Sequence, residues 1–152
     1  MVYPAQPDAL FRTGGEAVFA IDSTPLMVRS ALRDIAAHPF IAELPESARS
    51  SVELVLAEVL NNIVEHAYDR DDGKIDLRLR MAPEGIICDV FDNGIAMPDG
   101  ELPDGLAPVI GAHQDLAEGG FGWFLIRTLT ENLVYRRIDA CNHLSFQLNI
   151  EQ

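Results

Sequence analysis

The chain has 152 residues, 24 of them acidic against 11 basic, for a formal net charge of -13 at pH 7. That length suits one domain able to bury most of its apolar surface without a disulfide or metal staple. The acidity argues against nucleic acid or a membrane surface as partner, since phosphates are met mainly by Lys and Arg. A small phosphate ligand stays possible if a divalent cation or a helix N-terminus offsets the charge.

Residues 1–15, with Pro4, Pro7, Gly14 and Gly15, read as a loose leader without a basic-then-apolar targeting pattern. No apolar run approaches the ~18 residues of a membrane span, so the expectation is a cytoplasmic protein. Ala17 to Ile21 has the length and composition of a strand. Ser23 or Thr24 before Pro25 marks a helix start, and helix formers carry the segment through Ala37 to a stop at His38-Pro39. Pro45 opens a longer helix, expected to run to about Tyr68. Its Val52, Leu56, Val59, Leu60, Ile63, Val64 and Ala67 fall on one stripe at about 100° per residue, the pattern of a helix packed on a core.

The R-D-D-G sequence from Arg70 to Gly73 is a turn, after which Lys74 to Met81 alternates polar with apolar as a half-buried strand. Ala82 to Gly85 turns the chain into Ile86 to Phe91, so these two runs form a hairpin that delivers Asp92-Asn93-Gly94 to a sheet edge. From Ala96 to about Gly120, prolines and glycines break any periodicity, as in a lid or binding loop. Phe121 to about Asn132 reads as a buried helix begun by glycines. Leu133 to Ile138 and Leu144 to Ile150 read as strands around an Asp139 to Asn142 turn. Cys88 falls in a strand and Cys141 in that turn, and both read as idle thiols. This order implies an α+β fold for residues 16–152: a two-layer sandwich of a mixed, mainly antiparallel sheet with helices on one face.

Three stretches carry chemistry. Glu58, Asn62 and His66 recur every four residues and line one edge of the long helix, where a carboxylate and an amide oxygen one turn apart can set a base beside a metal ion. Asp92 ends a strand next to Gly94, which permits close backbone approach. Gly119-Gly120-Phe121-Gly122 opens a helix whose free N–H groups and positive end suit a phosphate.

E-V-L-N-N-I-V-E-H-A-Y, D-N-G-I-A and G-G-F-G-W-F-L-I, in this order, resemble the N-box and the two glycine boxes of the GHKL ATPases, the superfamily of gyrase and the histidine kinases. Within it the chain is most similar to the small serine-protein kinases that act as anti-sigma factors. The resemblance covers about residues 16–150 and implies the ATP-binding fold of that superfamily. It implies Glu58 as general base, Asn62 as Mg2+ ligand, and His66 as an orienting residue for the lid or a packing residue at the helix end. Asp92 would accept a hydrogen bond from the adenine amino group, with Gly94 and Ala96 beside the base. Gly120 and Gly122 would close the turn over the phosphates, and residues 97–118 would form the ATP lid. By the same resemblance the cofactors are ATP and Mg2+. The partners are a STAS-domain anti-sigma-factor antagonist, phosphorylated on a serine, and a sigma factor, and the assembly is a homodimer.

Two positions and the lid as a whole depart from the family pattern. Ala96 stands where a second glycine is usual, Phe121 where Arg is frequent, and the lid has no Lys or Arg at all. An absent cation is costly for phosphoryl transfer. Arg127, His113 or a partner's basic residue are the candidates to replace it. The alternative reading is therefore a nucleotide-gated module that binds a partner and transfers little or no phosphate.

Overall fold

A computed structural model describes residues 15–67, 73–105 and 120–150. The elements run β1 (Glu16–Asp22), α1 (Pro25–Ala37), α2 (Pro39–Ala42), α3 (Glu46–His66), β2 (Lys74–Ala82), β3 (Gly85–Asp92), a 3-10 turn at Pro98–Gly100, α4 (Gly120–Leu129), β4 (Thr130–Ile138) and β5 (Cys141–Asn149). The strands form one sheet in the order β1-β2-β3-β5-β4, and every pairing is antiparallel. The α+β fold expected from the sequence is present, and its mainly antiparallel sheet is antiparallel at every pairing among the described strands.

Alternation decides the layers. In β2, Ile75, Leu77 and Leu79 are buried while Lys74, Asp76, Arg78 and Arg80 are exposed. In β5, Asn142, Leu144, Phe146 and Leu148 are the buried set. Onto this face α3 lays Val52, Val55, Leu56, Val59 and Leu60, joined by Val28 and Ile35 of α1 and Ile126 of α4 in one continuous core. The opposite face of the sheet carries the charges of β2 and the stacked pair Phe91 and His143, whose ring centroids lie 4.3 Å apart.

Local chemistry sets the boundaries. Thr24 Oγ1 accepts the Met27 N–H at 3.1 Å and Pro25 fills the first turn of α1, as its sequence implies. His38 then works twice. Its backbone N–H donates to Ile35 O at the end of α1, and its Nδ1 accepts the Phe40 N–H at 3.1 Å, starting a short helix where the sequence suggests only a connection. Pro45 occupies the N-cap position of α3 without a capping side-chain hydrogen bond; the helix begins at Glu46 and ends at His66, and Ala67 N–H closes the last turn on Ile63 O. The expected end at Tyr68 lies outside the described residues.

Two expectations at the C-terminal end shift. The helix over 121–132 stops at Leu129, and Thr130 already pairs with Leu148. Pairing with β5 outweighs helix propensity there, and the register slips between Glu131 and Val134, where Asn132 takes a positive φ of 56°. The Asp139 to Asn142 turn contracts to Asp139 and Ala140, both with positive φ, the signature of a two-residue hairpin turn. Strand β5 therefore starts at Cys141, three residues before the expected Leu144. Cys88 is fully buried, and burial pushes its thiol far above the usual cysteine range, so it is inert at neutral pH.

His38 predicts an acid sensitivity. Burial lowers its pKa below the ordinary 6.5, and as an acceptor for Phe40 N–H its Nδ1 must be unprotonated. As pH falls the unfolded chain takes up this proton first, so the contribution of His38 is complete above pH 6.5 and is lost as pH falls through the lowered value. Thermal melts between pH 7.5 and about 5 should show a declining midpoint in wild type. The decline should be shallower in His38→Asn, which keeps a capping oxygen without the titration; equal slopes would remove His38 as the source.

Candidate functional site

A cavity of about 430 Å³ opens between the C-terminal half of α3, the segment after β3, and the inner face of β4 and β5. Asn62, Ile63 and His66 form one wall, Asp92 and residues 95–98 a second, and Trp123, Tyr135 and Leu144 a third. Its lining is chiefly apolar with a few convergent polar groups, the makeup of a small-molecule site.

Helix α3 positions the first set of side chains. Because its apolar stripe is seated on the sheet, the edge bearing Glu58 and Asn62 turns toward the start of α4, and both residues are half-buried. Glu58 does not itself line the cavity; it stands one turn before Asn62, against Gly122: a Cβ on Gly122 would lie 2.6 Å from Glu58 Oε2 and 3.8 Å from Asn62 Nδ2. The missing side chain at Gly122 is what lets carboxylate, amide and the first turn of α4 meet. Asn62 Nδ2 is buried without a hydrogen-bond partner among the described residues. A buried amide end left open costs about 1–3 kcal/mol unless something fills the position, which suits a residue that meets a ligand. His66 is exposed at the cavity rim, 3.6 Å from Glu65.

The end of β3 supplies the second set. Asp92 is 6% exposed, and its Oδ1 accepts from Gly94 N–H and from Asn142 Nδ2, each at 2.8 Å. Burial raises its pKa, while the hydrogen bonds from Asn142 and Gly94 and the charge of Arg137 pull it back. Gly94 packs against the end of α3. Ile95 N–H donates to Ala67 O at 2.7 Å, and a Cβ on Gly94 would stand 2.2 Å from that same oxygen. The expected freedom of Gly94 is thus used against the helix end, which holds the segment 95–97 along the cavity. Ala96 lines the cavity directly.

Three residues of this site carry no sequence signal. Asn142, Tyr135 and Arg137 come from β5 and β4, and cross-strand register aligns Asp92 with Asn142 and Asn142 with Arg137. Tyr135 hydroxyl donates to Asn142 Oδ1 at 2.6 Å and accepts the Met97 N–H at 3.0 Å. Arg137 Nη1 donates to Gly94 O at 2.9 Å. Alternation along β4 would have placed Tyr135 and Arg137 on one face, but only the turn at Asp139-Ala140 fixes which residues they oppose.

Of the expected lid over 97–118, residues 97–105 are described and 106–118, His113 among them, lie outside the described residues, as does Gly119. Arg127 holds the start of this expected lid, its Nε donating to Pro103 O at 2.9 Å. Gly120 opens α4, and Phe121 is exposed. No group of three or more His, Cys, Asp and Glu side chains that could hold a metal ion occurs among the described residues. No helix among the described residues is long and apolar enough to cross a membrane.

The profile of the histidine kinase-like ATPase domain matches residues 21–148. Related sequences include serine-protein kinase RsbW of Halalkalibacterium halodurans, 33% identical over 84 residues that cover 54% of this chain and 51% of that protein. Serine/threonine-protein kinase BtrW of Bordetella bronchiseptica is 34% identical over 99 residues, 64% of this chain and 68% of that one. An anti-sigma F factor of Clostridium botulinum is 25% identical over 103 residues, 66% and 71%. The match spans about half the length of the first of these proteins. Among solved structures, the blue-light activated histidine kinase of Erythrobacter litoralis superposes with a TM-score of 0.54 at 22% identity, over 81% of this chain and 39% of that one, a likeness of fold.

The two glycines should respond differently to a methyl group. Gly94→Ala drives a Cβ into backbone, and overpacking of that kind costs about 1–3 kcal/mol, read as a lower thermal midpoint. At Gly122 the obstacle is the mobile end of Glu58, so Gly122→Ala should lose less than about 1 kcal/mol while displacing the carboxylate. Similar midpoints for the two variants would contradict this assignment.

Proposed function

This chain belongs to the histidine kinase-like ATPase domain family, and on that premise we propose that it is an ATP-dependent serine/threonine protein kinase acting as an anti-sigma factor. The observation that carries the reading is the meeting of Glu58, Asn62 and Gly122 where α3 faces the start of α4. Relatives named as serine-protein kinases and as an anti-sigma factor support it.

In this reading the cavity takes the adenosine end of ATP, with Asp92 accepting from the adenine amino group and Ala96 and Met97 against the base. The triphosphate extends toward the N-terminus of α4, whose first N–H groups have no partner within the helix and whose positive end favours anionic oxygen. Asn62 is fitted to ligate Mg2+ through its side-chain oxygen: the two ends of the amide exchange places by a flip about χ2, which turns that oxygen into the open position now held by Nδ2. When bound, Mg2+ neutralises phosphate charge and needs few protein ligands.

Glu58 takes the proton of the substrate serine hydroxyl. That oxygen forms a bond to the γ-phosphorus, the bond from phosphorus to the β,γ-bridging oxygen breaks, and ADP leaves. The lid over 97–118 excludes water from the transfer. The acceptor is a serine on a STAS-domain antagonist, the protein otherwise holds a sigma factor, and it works as a homodimer in the cytoplasm.

A second reading rests on one feature: the lid carries no Lys or Arg, and Arg127 spends its Nε on Pro103 O. A site short of cations at the moving phosphoryl group would bind nucleotide and gate a partner while transferring little. Glu58→Gln separates the two. A kinase should keep its ATP affinity in this variant and lose about 10²- to 10⁴-fold in transfer rate, followed as phosphate incorporated into the antagonist. Transfer rates equal to wild type would remove Glu58 from the base role.

Asn62→Ala tests the metal. Calorimetric titration of ATP with and without Mg2+ should show a loss of about tenfold or more, roughly 1.4 kcal/mol, confined to the Mg2+ condition. A loss of the same size in chelator would assign Asn62 to the nucleotide or to packing.

A further inference from the structure

The side chain of Asn142 is 5% exposed and engaged at both ends. Its Nδ2 lies 2.8 Å from Asp92 Oδ1 and 2.9 Å from Ile95 O, with Gly94 O at 3.3 Å. Its Oδ1 accepts from Arg137 Nη1 at 2.8 Å and from the Tyr135 hydroxyl at 2.6 Å. A guanidinium has donors only, so the end of the amide that faces Arg137 must be the oxygen. The nitrogen is then committed to Asp92.

This commitment determines what Asp92 can offer a ligand. Gly94 N–H and Asn142 Nδ2 both point at Oδ1, so that oxygen acts only as acceptor and cannot hold the carboxyl proton. What remains for the cavity is Oδ2. An ionised carboxylate presents it as an acceptor, which complements an amino group. A protonated one presents O–H, which complements a carbonyl.

We propose that Asn142 is a positioning residue that sets base specificity: held by Arg137 and Tyr135, its amide keeps Asp92 an acceptor, so the site favours a purine with a 6-amino group over one with a 6-carbonyl. The inference rests on the reading of this cavity as the adenine end of an ATP site. It also accords with the balance at Asp92, where burial favours the neutral acid and the Asn142 hydrogen bond is the largest of the opposing effects. Without that amide, Asp92 loses the donor that stabilises its charge and moves toward a group able to donate.

The test is binding of ATP and of inosine triphosphate, which carries a 6-carbonyl, to wild type, Asn142→Leu and Arg137→Met. Circular dichroism and thermal melting verify that each variant is folded. Wild type should favour ATP. The ATP-to-ITP affinity ratio should fall by about tenfold or more in Asn142→Leu, mainly through weaker ATP binding, and by roughly threefold in Arg137→Met, where the amide stays but its oxygen loses a fixed donor. A purely structural role would weaken both nucleotides alike.

Folded variants that keep the wild-type ratio would overturn the inference and leave the ATP site standing, as would a wild type that binds both nucleotides equally. A wild type that binds neither would overturn the reading of the site and this inference with it. If Asn142→Leu does not fold, Arg137→Met decides the question.

Discussion

The seating of α3 on the sheet is the constraint from which the rest follows. Val52, Val55, Leu56, Val59 and Leu60 are at most 1% exposed, and burying each such side chain contributes up to about 1.5–3 kcal/mol. A stripe that deep leaves the helix one rotation about its axis. Glu58 and Asn62 are therefore carried to the edge facing α4, and His66 to the rim. Nothing polar has to hold them there, because the apolar face fixes the helix and the helix fixes its edges.

The site is built by close approach. At Gly122 the absent side chain leaves room for the Glu58 carboxylate, and at Gly94 it lets the strand end lie on the Ala67 carbonyl. Each contact joins α3 to a different neighbour, α4 on one side and the segment after β3 on the other. Between the two lies the cavity. The same helix thus carries the groups proposed for phosphate chemistry and closes the wall proposed for the base.

A polar row at the end of the sheet supports that wall. Asp92, Asn142 and Arg137 are cross-strand neighbours on β3, β5 and β4, and Tyr135 joins them to Met97 at the first residue of the expected lid. In a largely apolar cavity such a row is favourable only when its members satisfy one another, since an unpaired buried polar group costs about 1–3 kcal/mol. Here donors and acceptors alternate from Arg137 through Asn142 to Asp92. The backbone after β3 is tied into the same row through Gly94 O and Ile95 O.

By itself the sequence determined the elements whose signal is local: the alternation of β2, the cap and proline of α1, the apolar stripe of α3, and three motifs in the order of one ATPase family. Periodicity and capping are written within a few residues of where they act, so they are legible without the fold. The tertiary structure alone decided what depends on register. Asn142 reads as a turn residue in A-C-N-H, because Ala140 gives no sign of the positive φ it adopts in a hairpin turn where Gly or Asn would be expected. Only that tight turn starts β5 at Cys141 and sets Asn142 between Asp92 and Arg137. Likewise the strand from Thr130 is hidden in helix-like sequence, since its partner Leu148 is distant in the chain and pairing across the sheet outweighs local preference.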